Sequence, residues 1–220
     1  MLCADIIDNF ISPLKPTVTV AHALSVMEEY KVEHLPLVDK KAYLGMISEE
    51  ELLCVEDTET EVSVYQKELI RPAIRDNQHI FAAFDLFDKF QLTLLPVVDD
   101  QEQYAGYLSM MDMIEASANL GAVREQGSIL VLEMGVHDYS LAELARLVEG
   151  NDAKVLSAYI TSPLDSTKIE VTLKINRPDL SAIIQTFERY EYIVKASFHH
   201  SNSENDLRRK FDSFMHYLNM

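Results

Sequence analysis

Apolar positions along this chain follow two rhythms, and one of them is written twice. Val20, Ala23, Leu24, Met27 and Tyr30 have the spacing of a single helix face, and sixty residues later Ile80, Ala83, Phe84, Phe87 and Phe90 repeat it. Each helix leads into a short apolar strand, Leu-Pro-Leu-Val at 35–38 and Leu-Pro-Val-Val at 95–98. A turn at Asp39 or Asp99 follows, then a second strand (43–47, 104–108), then a helix opened by Ser48 or Ser109. Pro36 and Pro96 are sixty apart but Gly45 and Gly106 sixty-one, so the second copy holds one extra residue in its turn, where insertions are tolerated. A unit of two strands and two helices leaves a sheet edge bare and has half a core. Two copies packed back to back bury both.

Beyond the link "GAVREQG" (121–127) the rhythm changes. "SILVLEMG" (128–135) is a continuous apolar run and reads as a buried strand. "SLAELARLVEG" (140–150) is a helix with Ser140 as N-cap and Gly150 placed to end it. Strands follow at 153–160 and 167–176, the latter with Ile169, Val171, Leu173 and Ile175 on one side. Pro178 opens a helix over 178–190, and 192–198 closes as a strand. The order βαββαβ predicts a ferredoxin-like sheet with two helices on one face. The fold class is therefore α/β (α+β). At 203–218, Leu207, Phe211, Phe214, Met215 and Leu218 share the face of an amphipathic helix that docks on its own domain or a sister subunit. The expected divisions are 1–62, 63–121, 127–200 and 203–220.

Candidate chemistry sits at the two strand-to-helix corners. Ser48-x-x-Glu51 and Ser109-x-x-Asp112 are capping-box patterns, in which hydroxyl and carboxylate satisfy free amides of the first helical turn. The same spacing at Ser140-x-x-Glu143 and Ser203-x-x-Asp206 shows that spacing alone does not make a site. Only the first pair follows Gly-apolar-apolar (Gly45-Met46-Ile47, Gly106-Tyr107-Leu108). A helix N-terminus reached this way presents amides and a positive dipole end to a phosphate. The Leu-Pro strand supplies an apolar wall for a flat base, and a carboxylate one turn in accepts from a ribose diol.

Charge narrows the ligand. The formal total is −17, and residues 1–120 carry most of it, with 22 acidic and 8 basic residues. Such a surface disfavours nucleic acid and anionic membranes as partners. Candidate cations are Lys15, His34, Lys40, Lys41, Arg71, Arg75 and His79. A monophosphate, or a neutral or cationic adenosine compound, fits this balance better than free ATP. The acidic stretch 49–61 reads as a solvated helix end and loop rather than a metal site.

Enzyme signatures are missing: there is no G-x-S-x-G, P-loop, G-x-G-x-x-G or H-E-x-x-H. Cys3 and Cys54 lie in acidic stretches that dull a thiol, and no CxxC suggests a disulfide framework or zinc. His137, His199 and His200 do not form a metal-ligand pattern. "MLCADIIDNFI" has no basic n-region, and no apolar run reaches membrane-spanning length. These features predict a cytoplasmic protein without catalytic residues, metal or required cofactor.

At the paired corners the sequence resembles two CBS motifs forming a Bateman module, over roughly residues 1–120. The family phrase, apolar-Pro-Val-Val-Asp…Gly-apolar-apolar-Ser/Thr-x-x-Asp, stands almost intact in the second copy and has Glu51 for Asp in the first. The resemblance implies a regulatory module binding adenine nucleotides or related ligands, AMP-like here, in clefts between the units. Ser48 and Ser109 would face phosphate, Glu51 and Asp112 the ribose, and Leu35-Pro36 and Leu95-Pro96 the base. Met46, Tyr107 and Thr17, from the neighbouring strands and the leading segment "PTVTV", complete the candidate set, and the Ser109–Asp112 cleft is favoured.

The βαββαβ stretch is similar to an ACT domain, a small-molecule regulatory module often dimeric. Its first loop, "HDYSL", keeps Asp138 and Leu141 but has Tyr139 and Ser140 where the family has Pro-Gly. Losing that glycine removes close backbone approach to an amino acid, so dimerisation or packing is the expected role. A CBS pair followed by an ACT-like domain resembles the acetoin-utilisation accessory type of protein. The expected assembly is a homodimer or higher homo-oligomer acting on a regulated partner. The alternative reading is a ligand-free oligomerisation scaffold.

Overall fold

In the computed structural model, residues 1–65, 69–120, 122–162 and 167–199 are described. The amphipathic segment 203–218 lies outside them. The chain divides into two compact units, Met1–Ser117 and Ala118–Met220.

The first unit contains the repeat. Helix α1 (Val20–Tyr30) precedes the hairpin β1 (His34–Asp39) and β2 (Ala42–Ser48), which feeds the short helix α2 (Glu49–Leu53). The second copy runs through β3 (Ile74–Arg75), α3 (Phe81–Phe90), β4 (Leu94–Val98), β5 (Tyr104–Ser109) and α4 (Met110–Leu120). Agreement between the copies extends to fine detail. Both hairpins are antiparallel, pair the leading strand's first residue with the serine (His34 with Ser48, Leu94 with Ser109), and slip register before the last pairs, at Leu37/Val38 and Val97/Val98. Both leading helices end on a left-handed residue, Lys31 and Gln91, whose amide returns to the last turn. Leu14 pairs in parallel with Leu37 as Ile74 does with Val97.

Two cores result, and the copies exchange side chains between them. Val20, Ala23, Met27, Leu35, Leu37 and Ile47 form the first core together with Leu94 and Tyr107 of the second copy. Ile80, Ala83, Leu95, Val97 and Leu108 form the other, completed by Val38, Tyr43 and Met46 of the first copy. Side chains on opposite faces of a hairpin point to opposite sides, so each hairpin serves its own helices with one face and its sister's with the other. Each core is therefore completed by side chains from both copies. The expected helix faces of the repeat hold with one exception: Phe84 is 37% exposed, on the edge of the buried face of α3.

The second unit is a four-stranded antiparallel sheet in the order β7-β8-β6-β9, formed by β6 (Ser128–Gly135), β7 (Val155–Thr161), β8 (Lys168–Ile175) and β9 (Ile193–Phe198). Helices α5 (Leu141–Glu149) and α6 (Ser181–Arg189) cover one face through Leu144, Leu147, Val148, Ile183 and Phe187. Burial of Phe187 contributes about 2–3 kcal/mol by apolar area. Two expectations need correction. Strand β6 alternates, with Ser128, Leu130, Leu132 and Met134 buried and Ile129, Val131 and Glu133 partly open, so it is a half-buried strand rather than a buried one. Helix α6 begins at Ser181, not Pro178, because Asp179 Oδ1 accepts from both the amide and the hydroxyl of Ser181 and holds the chain in a turn first.

Candidate ligand-binding site

Both strand-to-helix corners form as reciprocal capping boxes. In the first, Ser48 Oγ accepts from Glu51 N at 3.2 Å, while Glu51 Oε2 accepts from Ser48 N and Ser48 Oγ, both at 2.8 Å. The second repeats it: Ser109 Oγ accepts from Asp112 N at 3.1 Å, and Asp112 Oδ2 accepts from Ser109 N at 2.8 Å and Ser109 Oγ at 2.5 Å. The corners differ in depth. Glu51 is exposed and heads a five-residue helix, whereas Asp112 is partly buried and heads one of eleven. Only one oxygen of each carboxylate is used in these bonds. Oδ1 of Asp112 takes no hydrogen bond among the described residues and is free to accept from a ligand hydroxyl. The amides of Met110 and Met111, in the first turn of α4, have no acceptor within the helix.

The apolar wall expected beside these corners is built into the protein instead. Leu35, Pro36, Leu95 and Pro96 are all buried. Met46 is 1% exposed and Tyr107 2%, and both occupy the core of the opposite copy. Sixty-one residues apart, they are equivalent plugs. The Tyr107 hydroxyl donates to Asp8 Oδ2 at 2.9 Å and accepts from Ile11 N at 3.1 Å. Burial pushes its pKa up to about 12, with the neighbouring Asp8 and Asp112 charges adding to the shift despite the opposing Ile11 bond. Burial by itself raises the Asp8 carboxyl, but donations from Phe10 N, Tyr107 and Asn9 N outweigh it and hold the group below its ordinary range. Thr17 lies elsewhere, beside Val38, Asp39 and Lys40. That is the opposite end of β1 from the His34–Ser48 pair, roughly 16 Å along the strand.

The two glycines also serve a different end from phosphate approach. A Cβ on Gly45 would meet Leu69 Cβ at 2.6 Å and Ile70 O at 2.8 Å; on Gly106 it would meet Ile7 Cγ2 at 2.4 Å and Asp8 O at 2.7 Å. Both have φ near +150° (153° and 146°), a region closed to other residues. Each admits a crossing segment from the other copy's lead, sealed by Met46 N to Ile70 O and by the Asp8–Tyr107 backbone pair. Nothing in the spacing of Gly45 or Gly106 distinguishes close approach of the chain from close approach of a ligand.

Sequence reasoning passed over the junction between copies. Thr93 Oγ1 accepts from the amides of Glu33 and His34 at 3.1 Å, and the Thr93 amide donates to His34 Nδ1 at 3.4 Å. An acceptor Nδ1 places the neutral ring's proton on Nε2. Burial lowers the His34 pKa, against the opposing pull of Glu33 and Glu51. Because Thr93 is the sixty-residue counterpart of Glu33, the contact lies across the repeat, and the repeat offset was the clue to it.

In the second unit, Ser140 caps α5 by accepting from Glu143 N at 3.4 Å, and Leu141 is exposed. Asp138 borders a cavity of about 420 Å³ shared with Glu133, Glu143, Tyr190, Glu191 and Tyr192. Cys3 is free and buried, its thiol pushed up to about 11 by burial, Asp5 and Asp76. No three His, Cys, Asp or Glu side chains converge on a possible metal position among the described residues, and no helix there is long and apolar enough to cross a membrane.

Two pseudo-equivalent hairpin units that share cores and carry matching serine–carboxylate corners define an internally duplicated, paired module. Comparison with known proteins gives its family. Residues 4–56 and 65–119 each match the CBS domain, and the chain is a CBS-pair protein. Among curated relatives, inosine-5'-monophosphate dehydrogenase of Methanocaldococcus jannaschii is 27% identical over 143 residues, 63% of this chain and 28% of that protein. The Aquifex aeolicus enzyme of the same name is 25% identical over 195 residues, 83% of this chain and 39% of its own length. The chain thus spans well under half of either. A solved CBS domain pair/ACT domain protein from Thermotoga maritima superposes with a TM-score of 0.50 at 24% identity, covering 55% of this chain and 98% of that one. That likeness is one of fold.

Proposed function

We propose that this protein is a non-catalytic, cytoplasmic regulator whose CBS pair binds an adenosine-type ligand, AMP-like in charge, at the Ser109–Asp112 corner. The observation that carries this reading is the half-used carboxylate: Asp112 Oδ2 caps α4 while Oδ1 takes no hydrogen bond among the described residues. A ribose diol matches the open oxygen and a single phosphate matches the amides. The free thiol of Cys3 suits a reducing compartment. The second unit acts as an ACT-like module for dimerisation or regulation.

A homodimer fits the surface of α4. Met111 and Ile114 are 71% and 56% exposed, and Met110 beside them is also open. A stripe of this kind is what an interface between copies covers. Changing Met111→Asp and Ile114→Lys together is expected to shift the mass measured by light scattering toward monomer.

Thermal shift and calorimetry with AMP, ADP, ATP, S-adenosylmethionine and NAD test the ligand. The AMP response is expected to be strongest, to fall in Asp112→Asn, and to fall further in Ser109→Ala/Asp112→Asn. No response to any of the five by the folded protein removes the sensor reading. The ligand-free scaffold then stands, favoured by the burial of Leu35, Met46, Leu95 and Tyr107, which leaves no apolar wall from those residues.

A further inference from the structure

The two copies differ at the far end of their first strands, away from the serine corners. In the second copy three groups there are paired. Arg75 meets Glu102 at 3.5 Å, Asn77 Nδ2 donates to Asp100 Oδ1 at 3.0 Å, and the Pro72 carbonyl accepts from the Tyr43 hydroxyl at 2.8 Å. Sixty residues earlier the counterparts of Pro72, Arg75 and Asn77 are Ser12, Lys15 and Thr17. None of the three has a side-chain hydrogen bond or ion pair among the described residues. The hydroxyl matching Tyr43, that of Tyr104, is buried without a partner among them. Where the second copy's turn offers Asp100 and Glu102, the first copy's offers Lys40 and Lys41. An open cavity of about 680 Å³ results, lined by Ser12, Lys15, Thr17, Val38, Asp39 and Lys40 with two proline rings.

Its size is that of a small-molecule site. Its charge is unusual for the unit: two lysines in no ion pair among the described residues, with Asp39 as the one lining carboxylate, in a segment where acids outnumber bases nearly threefold. The turn itself breaks a local rule. Asp39 pairs with Ala42 across a two-residue loop, a setting that favours glycine or asparagine, yet Lys40 sits there at φ 59°.

We propose that this cavity is a second binding site, specific for a small organic phosphate. Lys15 and Lys40 hold the phosphate as point charges, the Ser12 and Thr17 hydroxyls donate to it, and Asp39 accepts from a hydroxyl on the ligand's body. It is separate from the Ser109–Asp112 corner and does not depend on it. The test is amide NMR titration of the whole chain with ribose 5-phosphate and with inorganic phosphate, against sodium chloride of equal ionic strength. Saturable shifts at Lys15, Thr17 and Lys40 are expected for ribose 5-phosphate, weaker ones for inorganic phosphate, and none with chloride. Lys15→Ala/Lys40→Gly, which keeps the left-handed turn, should weaken binding by roughly tenfold or more, while Ser109→Ala/Asp112→Asn should leave it unchanged. Shifts that match those with chloride, or that persist in the lysine variant, overturn the proposal.

Discussion

Three tyrosines of the two second strands provide a sharp test of how the copies are joined. Replacing Tyr107 by Phe removes a hydroxyl that donates to Asp8 Oδ2 and accepts from Ile11 N. A bond to a charged group is worth about 1.5–3 kcal/mol, and a buried amide left without an acceptor costs about 1–3 kcal/mol. Ile11 is buried, so its amide bears the full loss, whereas Asp8 is only partly buried and recovers water. The net destabilisation is therefore about 2–3 kcal/mol. Tyr104→Phe should behave oppositely. Its hydroxyl is buried with no partner among the described residues, so deleting it is neutral or stabilising by up to about 1 kcal/mol. Tyr43→Phe falls between, losing one bond to the Pro72 carbonyl, about 1 kcal/mol. Urea denaturation followed by far-ultraviolet circular dichroism reads all three as shifts of midpoint at unchanged slope. Equal effects for Tyr104→Phe and Tyr107→Phe would refute the reasoning, since the two sites then differ in nothing that the hydrogen bonds describe.

Further outcomes follow from the same contacts. Gly106→Ala sets a Cβ 2.7 Å from the Asp8 carbonyl at φ 146° and should cost about 2–4 kcal/mol; Gly150→Ala, at φ −63°, should change stability by less than about 1 kcal/mol in the same urea assay. His34 has a lowered pKa in the fold, so the unfolded chain takes up its proton first. Stability is complete above the ordinary histidine value and falls as pH drops from about 6.5 toward the folded value. Urea midpoints at about pH 7.5 and about pH 5.5 should separate more in the wild type than in His34→Gln; equal separation contradicts the assignment. Ser109→Ala removes one half of a capping box and should cost about 1 kcal/mol without ligand, a baseline to subtract from its effect on AMP binding.

Local order was legible in the residues themselves. Helix faces at 3.6 spacing, strands bounded by turns, and serine caps at Ser48, Ser109 and Ser140 are dictated by neighbours within four positions, and the chain writes them plainly. The βαββαβ order follows from the same short-range information. The repeat, read at its sixty-residue offset, placed the strands of both hairpins, and the structure supplied their registers. What needed the tertiary structure was the destination of each face. An apolar residue beside a helix corner looks the same whether it greets a ligand or a sister core, and Met46 and Tyr107 go to the core. A glycine permits close approach without naming what approaches, and at Gly45 and Gly106 it is the chain. Likewise the lysines near Thr17 acquired meaning only when folding gathered them around one cavity while their second-copy counterparts were paired. Periodicity is a property of neighbours along the chain, whereas burial, pairing and vacancy belong to residues brought together from far apart.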